Sequence, residues 1–193
     1  TPNGIVKDWP THISEFAKSD KPLRELFPGG GFALHGNSKI FAPLGISAAF
    51  YTTARREKRK EVLALLIPVT LTAMLIGITE PLEFTFLFVA PPLFAVHAVL
   101  AASMASIMYM FGLSGNMGGG LLDNFIFLNW VPLWQNHWPT YLMQIGVGLC
   151  FTVIYFLLFR FLILKFDFKT PGREAEGGET KLYSKAEYKA AKA

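Results

Sequence analysis

The chain has 193 residues, of which 52% are hydrophobic and only 17% charged, and its formal net charge is +4. This composition is typical of a membrane protein and excludes an ordinary soluble globular domain. No Lys or Arg occurs from Glu61 to Phe159, whereas residues 55–60 and the chain from Arg160 onward are basic, so we expect both basic segments on the cytoplasmic side.

Residues 1–31 are mixed in character, with scattered apolar side chains among charged ones and prolines. Ile13, Phe16 and Ala17 recur at helical spacing, which predicts a short amphipathic helix on the membrane surface. An exposed connector is the alternative. The Pro-Gly-Gly-Gly run at 28–31 then interrupts any helix.

Residues 40–54 are apolar and predict the first membrane crossing. These roughly 15 residues span only about 22 Å, so we expect residues 32–34 to extend the crossing. His35 lies between these two pieces, in a stretch dense in polar side chains. It is a candidate hydroxyl-binding group, with an ordinary loop histidine as the alternative.

A polar break interrupts the longest apolar region at Gly77-Ile78-Thr79-Glu80-Pro81-Leu82-Glu83, with uncharged runs at 62–78 and 84–113 on either side. A carboxylate at membrane depth costs roughly 2.5–3.5 kcal/mol, so it is retained where it faces protein, water or a ligand. Pro81 ends the preceding helical pattern, and Gly77 permits a close turn. The pattern predicts a re-entrant or broken helix with its tip near the midplane. A short extramembrane loop between two full helices is the alternative.

The break divides this region into three predicted helical pieces, at 62–78, 82–90 and 93–110. Glu80 and Glu83 are three residues apart, and we assign Glu80 to a ligand and Glu83 to a structural hydrogen bond. His97 lies in the third piece among Val and Ala. Inside a membrane it must find a partner, either as a satisfied core residue or as part of a transport pathway.

The last third of the chain contains one clear predicted span, at 141–165, with Arg160 placed to reach the cytoplasmic interface. Before it, residues 114–120 are glycine-rich and predict a hinge, not a phosphate loop. Residues 121–137 mix tryptophans with amides, which favours a membrane interface, with a sugar-stacking surface as the alternative. A polar linker follows the span, and residues 181–193 have a helix-forming composition.

Motifs of enzyme chemistry are missing. The sequence has no nucleophile elbow and no His-Glu-x-x-His motif, and its basic loop lacks the pattern of a nucleic-acid surface. The single cysteine, Cys150, lies in an apolar run and excludes an internal disulfide and a cysteine-based metal site. We therefore expect no catalytic residue, metal, cofactor or nucleic-acid partner for this chain.

Several of these motifs together resemble the membrane-embedded EIIC component of bacterial sugar phosphotransferase systems (PTS), glucose superfamily. The segments that resemble the family signature are residues 77–84 and residues 94–102. Residues 169–174 resemble the linker to the cytoplasmic EIIB domain, and residues 181–185 resemble the start of that domain. Residues 115–120 and Asn129-Trp130 most resemble the maltose/α-glucoside branch.

The resemblance implies an all-α polytopic membrane protein with transmembrane helices and a re-entrant Glu-Pro hairpin. Residues 32–165 would be the C-terminal transport half of the EIIC domain, preceded by a connector at 1–31. Residues 166–193 would be the linker and the truncated start of EIIB. The N-terminal half of EIIC and the phosphocysteine of EIIB are then expected to lie outside this chain, which alone would be inactive.

The resemblance also implies a phosphoenolpyruvate-dependent sugar permease, which translocates an α-glucoside or glucose with concomitant phosphorylation by EIIB. Glu80 would bind sugar hydroxyls, with Thr79 and Pro81 shaping the tip, while His97 matches the family pattern without an assigned contact. His35 remains a candidate from its surroundings alone.

The implied partners are EIIB, the upstream EIIA and HPr proteins, membrane lipid, the N-terminal half of EIIC and a second copy in a homodimer. The implied location is the bacterial inner membrane, multi-pass, with a cytoplasmic C-terminus. A non-phosphorylating ion-coupled sugar transporter and a membrane sugar sensor are the alternatives.

Overall fold

The computed structural model describes residues 5–174, 178, 180–183, 186 and 190, and for 5–8 and 31–33 it describes the backbone alone. Within these ranges the chain forms seven α-helices and no strand, which confirms the predicted all-α class. The helices are α1 (Ile5–Phe16), α2 (Leu23–Leu26), α3 (Asn37–Thr53), α4 (Arg59–Ile76), α5 (Glu80–Val89), α6 (Pro91–Met110) and α7 (Trp130–Phe166). Two 3₁₀ segments, Pro28–Gly36 and Arg56–Lys58, and a π-helical turn, Asp123–Leu128, lie between them.

Helix α3 is the centre of the fold, packed along α7 and also against α4 and α6. The α3–α7 approach is close because glycines face the partner helix. A Cβ on Gly45 would lie 2.4 Å from the Thr152 carbonyl oxygen, and one on Gly148 would lie 2.4 Å from the Phe41 ring. The Thr152 hydroxyl donates to the Phe41 carbonyl at 3.0 Å. Small residues and interhelical hydrogen bonds of this kind join helices within membranes.

The outer face of α7 is apolar and exposed. Leu149, Val153 and Leu157, spaced by one turn, are 52%, 55% and 57% exposed. Among the described helices, α6 and α7 are long and apolar enough to cross a membrane. The 37 residues of α7 are about 55 Å long, which exceeds the roughly 30 Å hydrocarbon core.

Helix α7 begins at Trp130, well before the span predicted from residue 141, and it continues through Pro139. Two polar residues of this first part contact the N-terminal segment. Asn136 donates to the Ala17 carbonyl at 2.9 Å, and the His137 ring lies 3.0 Å from the Phe16 carbonyl. These long-range contacts hold the N-terminal segment against α7.

The N-terminal segment forms helix α1, as the spacing of its apolar residues predicts. This segment packs in an apolar cluster separate from the core around α3. Trp9 is fully buried there, and its indole N–H donates to the Leu128 carbonyl at 2.8 Å. Residues 32–34, predicted to extend the first crossing, lie instead in the 3₁₀ segment, and α3 begins at Asn37. The predicted helical stretch at 181–193 lies largely outside the described residues.

The predicted break in the apolar region is present. Helix α4 ends at Ile76, Gly77 adopts a left-handed conformation with φ 78°, and α5 begins at Glu80. The predicted pieces at 62–78, 82–90 and 93–110 correspond to α4, α5 and α6. A re-entrant path for the α4–α5 pair stays a prediction.

Candidate functional site

Three irregular segments meet at the break between α4 and α5. The glycine-rich segment, residues 114–120, lies directly against the end of α4, since a Cβ on Gly120 would be 2.4 Å from the carbonyl carbon of Leu75. A Cβ on Gly77 would be 2.9 Å from the carbonyl carbon of Gly119. The same segment contacts the 3₁₀ segment, because a Cβ on Gly36 would overlap the Met117 carbonyl. Irregular backbone is thus brought together where glycines allow it.

Helix α5 presents its first turn at this junction. Pro81 is tolerated there because the second residue of a helix has no intrahelical use for an N–H group. Glu80, the first residue, is exposed and makes no hydrogen bond or ion pair with the part of the chain that the structure describes. Its carboxylate is therefore available to a ligand.

Glu83, one turn further along α5, is engaged instead. Its Oε1 lies 3.6 Å from Nε2 of His97 in α6. Nδ1 of His97 lies 3.1 Å from the hydroxyl of Tyr155 in α7, which is also 3.1 Å from the His97 carbonyl oxygen. A carboxylate opposite Nε2 favours a proton on that nitrogen. This chain of contacts, the Glu83–His97–Tyr155 network, joins three helices directly behind the tip.

Lys39 of α3 supplies a positive charge to the same place. Its Nζ donates to the Gly118 carbonyl at 2.9 Å, which joins α3 to the glycine-rich segment. Lys39, Thr79, Glu83 and His97 line a crevice whose accessible volume is only about 10 Å³. Ligand pockets usually measure about 300–1,000 Å³, so this crevice by itself is too small to enclose a sugar.

Comparison with known proteins identifies the chain. Residues 10–102 match the family model described as phosphotransferase system, EIIC. The chain is also 65% identical, over 189 residues and 98% of its length, to the PTS system alpha-glucoside-specific EIICB component of Leptotrichia buccalis. The chain belongs to the EIIC family of the phosphotransferase system. The resemblance carried by the 77–84 and 94–102 segments is thereby confirmed.

This EIIC chain has further relatives of similar name. It is 64% identical over 187 residues (96% of its length) to the PTS system maltose-specific EIICB component of Bacillus subtilis. It is 59% identical over 189 residues (98% of its length) to the PTS system alpha-glucoside-specific EIICB component of Klebsiella pneumoniae. It covers 36% of the Leptotrichia protein and 35% of each of the other two, so it spans about a third of the length of these relatives.

The candidate residues of this EIIC chain occupy different surroundings. Thr79 and His97 line the crevice with Lys39, and Pro81 is half-buried beside them in α5. His35 is exposed in the 3₁₀ segment and is not among the residues that line the crevice. Its carbonyl accepts a hydrogen bond from Ser38 at 2.9 Å. The assignment of all these side chains to a ligand stays a prediction.

A buried amide chain in the EIIC fold was not predicted. Gln144 of α7 donates to Asn37 at 2.8 Å and accepts from the Trp130 indole at 2.9 Å. Asn37 donates onward to the Met108 sulfur at 3.0 Å, and both amides are fully buried. The sequence held a signal, since Gln144 is the only amide in residues 141–165. These contacts fix the register of α3 against α7. Asn37, the member of the chain in α3, lies two residues before Lys39.

Proposed function

We propose that this EIIC chain forms the transport part of a sugar permease that carries an α-glucoside such as maltose, or glucose. The observation that carries the proposal is the carboxylate of Glu80, which has no partner among the described residues and lies at the first turn of α5 inside an otherwise apolar region. Keeping such a group at membrane depth is costly unless a ligand or water meets it. The names of the relatives, alpha-glucoside-specific and maltose-specific, support the sugar class.

In this proposal Glu80 accepts hydrogen bonds from sugar hydroxyls. Hydrogen bonds to a charged group contribute about 1.5–3 kcal/mol each. Bonds of this strength suit the binding of a polar ligand at a weakly buried site. Thr79 and Pro81 set the position of the first turn, and Lys39 offers a cationic donor beside the crevice. The ring of His97 is already engaged by Glu83 and Tyr155, which favours a positioning role over a direct sugar contact. His35 remains a further candidate for a contact with the sugar.

The small crevice supports a pocket completed from outside this chain. The N-terminal half of EIIC would supply the missing walls, and the intact permease would be a homodimer in the bacterial inner membrane. Its C-terminus and the basic 55–60 loop would both be cytoplasmic. Surrounding lipid would cover the exposed face of α7.

Phosphorylation would take place where EIIB meets the bound sugar. A sugar hydroxyl oxygen would form the new P–O bond as the S–P bond of the EIIB phosphocysteine breaks. A carboxylate within hydrogen-bond reach, Glu80, would orient that hydroxyl or take its proton. EIIA and HPr would return the phosphate to EIIB. This chain would supply sugar binding and positioning, without a catalytic cysteine of its own.

The deciding experiment is binding of radiolabelled maltose and glucose to the intact permease in detergent, without phosphodonor. Glu80→Gln is compared with Glu61→Gln, which removes an exposed carboxylate at the start of α4. We expect Glu80→Gln to weaken sugar binding by roughly 10- to 150-fold, the equivalent of one charged hydrogen bond. The control should bind as wild type does. Equal binding by both variants would remove Glu80 from the site.

A second candidate function is ion-coupled sugar transport without phosphoryl transfer. The Glu83–His97–Tyr155 network favours it, because three titratable groups in contact across three helices could carry a proton. Sugar uptake into vesicles that persists without any phosphodonor would support this function and contradict coupled phosphorylation. Sugar binding without any uptake would instead indicate a sensor.

A further inference from the structure

The chain does not leave the membrane domain where α7 ends. Asp167 closes the helix in a left-handed conformation, with φ 50° and ψ 42°. The backbone then turns back, and residues 170–172 are buried. We call the described residues from 168 to 183 the strap.

Arg173 anchors the beginning of the strap to two helix ends. Its Nη1 donates to the carbonyl of Thr53, at the end of α3, at 3.1 Å. Its Nη2 donates to Asp167 at 2.6 Å, and its Nε donates to the Phe168 carbonyl at 3.2 Å. One guanidinium therefore holds the strap against the ends of α3 and α7.

The loop between α3 and α4 holds the next part of the strap. The backbone N–H of Arg55 donates to the Gly172 carbonyl at 3.0 Å. Lys58 donates to the Gly178 carbonyl at 2.6 Å and lies 3.4 Å from the Glu174 carboxylate. The basic loop that the sequence predicts to be cytoplasmic is thus the strap's partner.

The far end of the strap reaches α5. The backbone N–H of Tyr183 donates to the hydroxyl of Thr85 at 2.9 Å, and the Tyr183 ring stacks on Phe88 with centroids 4.3 Å apart. The Thr85 hydroxyl in turn donates to the carbonyl of Pro81 at 2.7 Å. A single buried hydroxyl therefore connects the strap to the residue that follows Glu80.

We infer that α5 and the α3–α4 loop form a docking surface for the strap, and that the position of the α5 tip and the docking of the strap are coupled. The occupant of this surface is the strap, the described residues of this chain between 168 and 183. Because Thr85 contacts both sides, a change in the first turn of α5 alters the strap's last hydrogen bond. By thermodynamic linkage, undocking the strap must affect the α5 tip in return. Under the proposed function, the strap would link the sugar site to the domain that follows it.

Hydrogen exchange of the intact permease without sugar tests this inference. The peptide that contains residues 180–183 is followed in Thr85→Val, which removes the hydroxyl, and in Thr85→Ser, which retains it. Loss of one hydrogen bond should speed exchange of this peptide about fivefold in Thr85→Val, with little change in Thr85→Ser.

Tyr183→Ala and Tyr183→Phe provide the reciprocal test and a second route if the buried Thr85 variant does not fold. Tyr183→Ala loses the ring on Phe88 and should speed exchange in residues 80–89 as well as in the strap, whereas Tyr183→Phe should not. The inference is overturned if residues 180–183 of the wild type exchange as an unfolded peptide does. It is also overturned if Tyr183→Ala leaves the α5 peptide unchanged. Maltose binding is measured separately, so failure of the sugar assignment does not alter this comparison.

Discussion

Replacement of Gly120 by alanine should displace the tip without removing any functional side chain. The new Cβ would lie 2.4 Å from both the carbonyl carbon and the carbonyl oxygen of Leu75, and 2.5 Å from the nitrogen of Ile76. These are backbone atoms in the last turn of α4, so no side chain can rotate away. Ordinary contact begins near 3.4 Å, so the glycine-rich segment and the end of α4 must separate by about 1 Å.

The energetic consequence follows from that distance. Overpacking of a close contact costs about 1–3 kcal/mol, which lowers stability without abolishing folding. A 1 Å displacement lengthens a hydrogen bond from about 2.8 Å to about 3.8 Å, beyond its effective range. Because Gly77 and the first turn of α5 follow directly, we expect sugar binding to weaken by about 10- to 100-fold through the loss of such a bond.

Gly118→Ala is the matched control within the same segment. Its Cβ would meet only the Asn116 side-chain oxygen, at 3.4 Å. Both variants of the intact permease are purified in detergent, and maltose titration and thermal unfolding are measured in parallel. Gly120→Ala should melt earlier and bind more weakly than Gly118→Ala. Equal affinities would refute the reasoning that the glycine-rich segment positions the tip.

Three further predictions concern the network, the end of α7 and the basic loop. Tyr155→Phe removes a hydrogen bond worth about 1 kcal/mol, so titration should show a few-fold weaker sugar binding, and unchanged affinity would exclude a positioning role. Hydrogen bonds from Lys169, and then from Arg173, hold the pKa of Asp167 below its ordinary value. Its contribution to strap docking is therefore complete at neutral pH and is lost as the pH falls through that lowered pKa. The protection of the strap, measured as exchange relative to the intrinsic rate at each pH, should therefore fall in acid for wild type, and less for Asp167→Asn. Charge reversal across residues 55–60 should disturb membrane topology, which residue-specific labelling from each side of the membrane measures. A loss of sugar affinity with normal topology would contradict the assignment of these residues to a cytoplasmic loop.

Local chemistry determined which elements could be predicted. Gly77 and Pro81 act on their immediate neighbours, so the ends of α4 and α5 could be placed to within two residues. The start of α7 could not, because Asn136 and His137 find their hydrogen-bond partners at the end of α1 and in the residue that follows it. The contact of Asn136 with Ala17 joins residues 119 positions apart, and no local pattern reports such a pairing.

The candidate site shows the same division. Whereas the assignment of Glu80 to a ligand stays a prediction, the contact of Glu83 with His97 agrees with the structural role predicted for this carboxylate. Its partner His97 was noticed as a histidine in need of a partner, yet Tyr155 lies 58 positions further on. Lys39 stands among the dense polar residues beside the first apolar run, and no local pattern assigns it a role of its own. The crevice exists only after α3, α5 and α6 pack together.

The charges gathered at the tip give it an electrical character. Lys39 and Glu83 offset each other formally, which leaves Glu80 as one net negative charge at the tip. Moving one charge through the membrane potential is worth about 2.3 kcal/mol per 100 mV. If the tip crosses part of that field, the voltage dependence of sugar uptake reports the net charge that the tip carries.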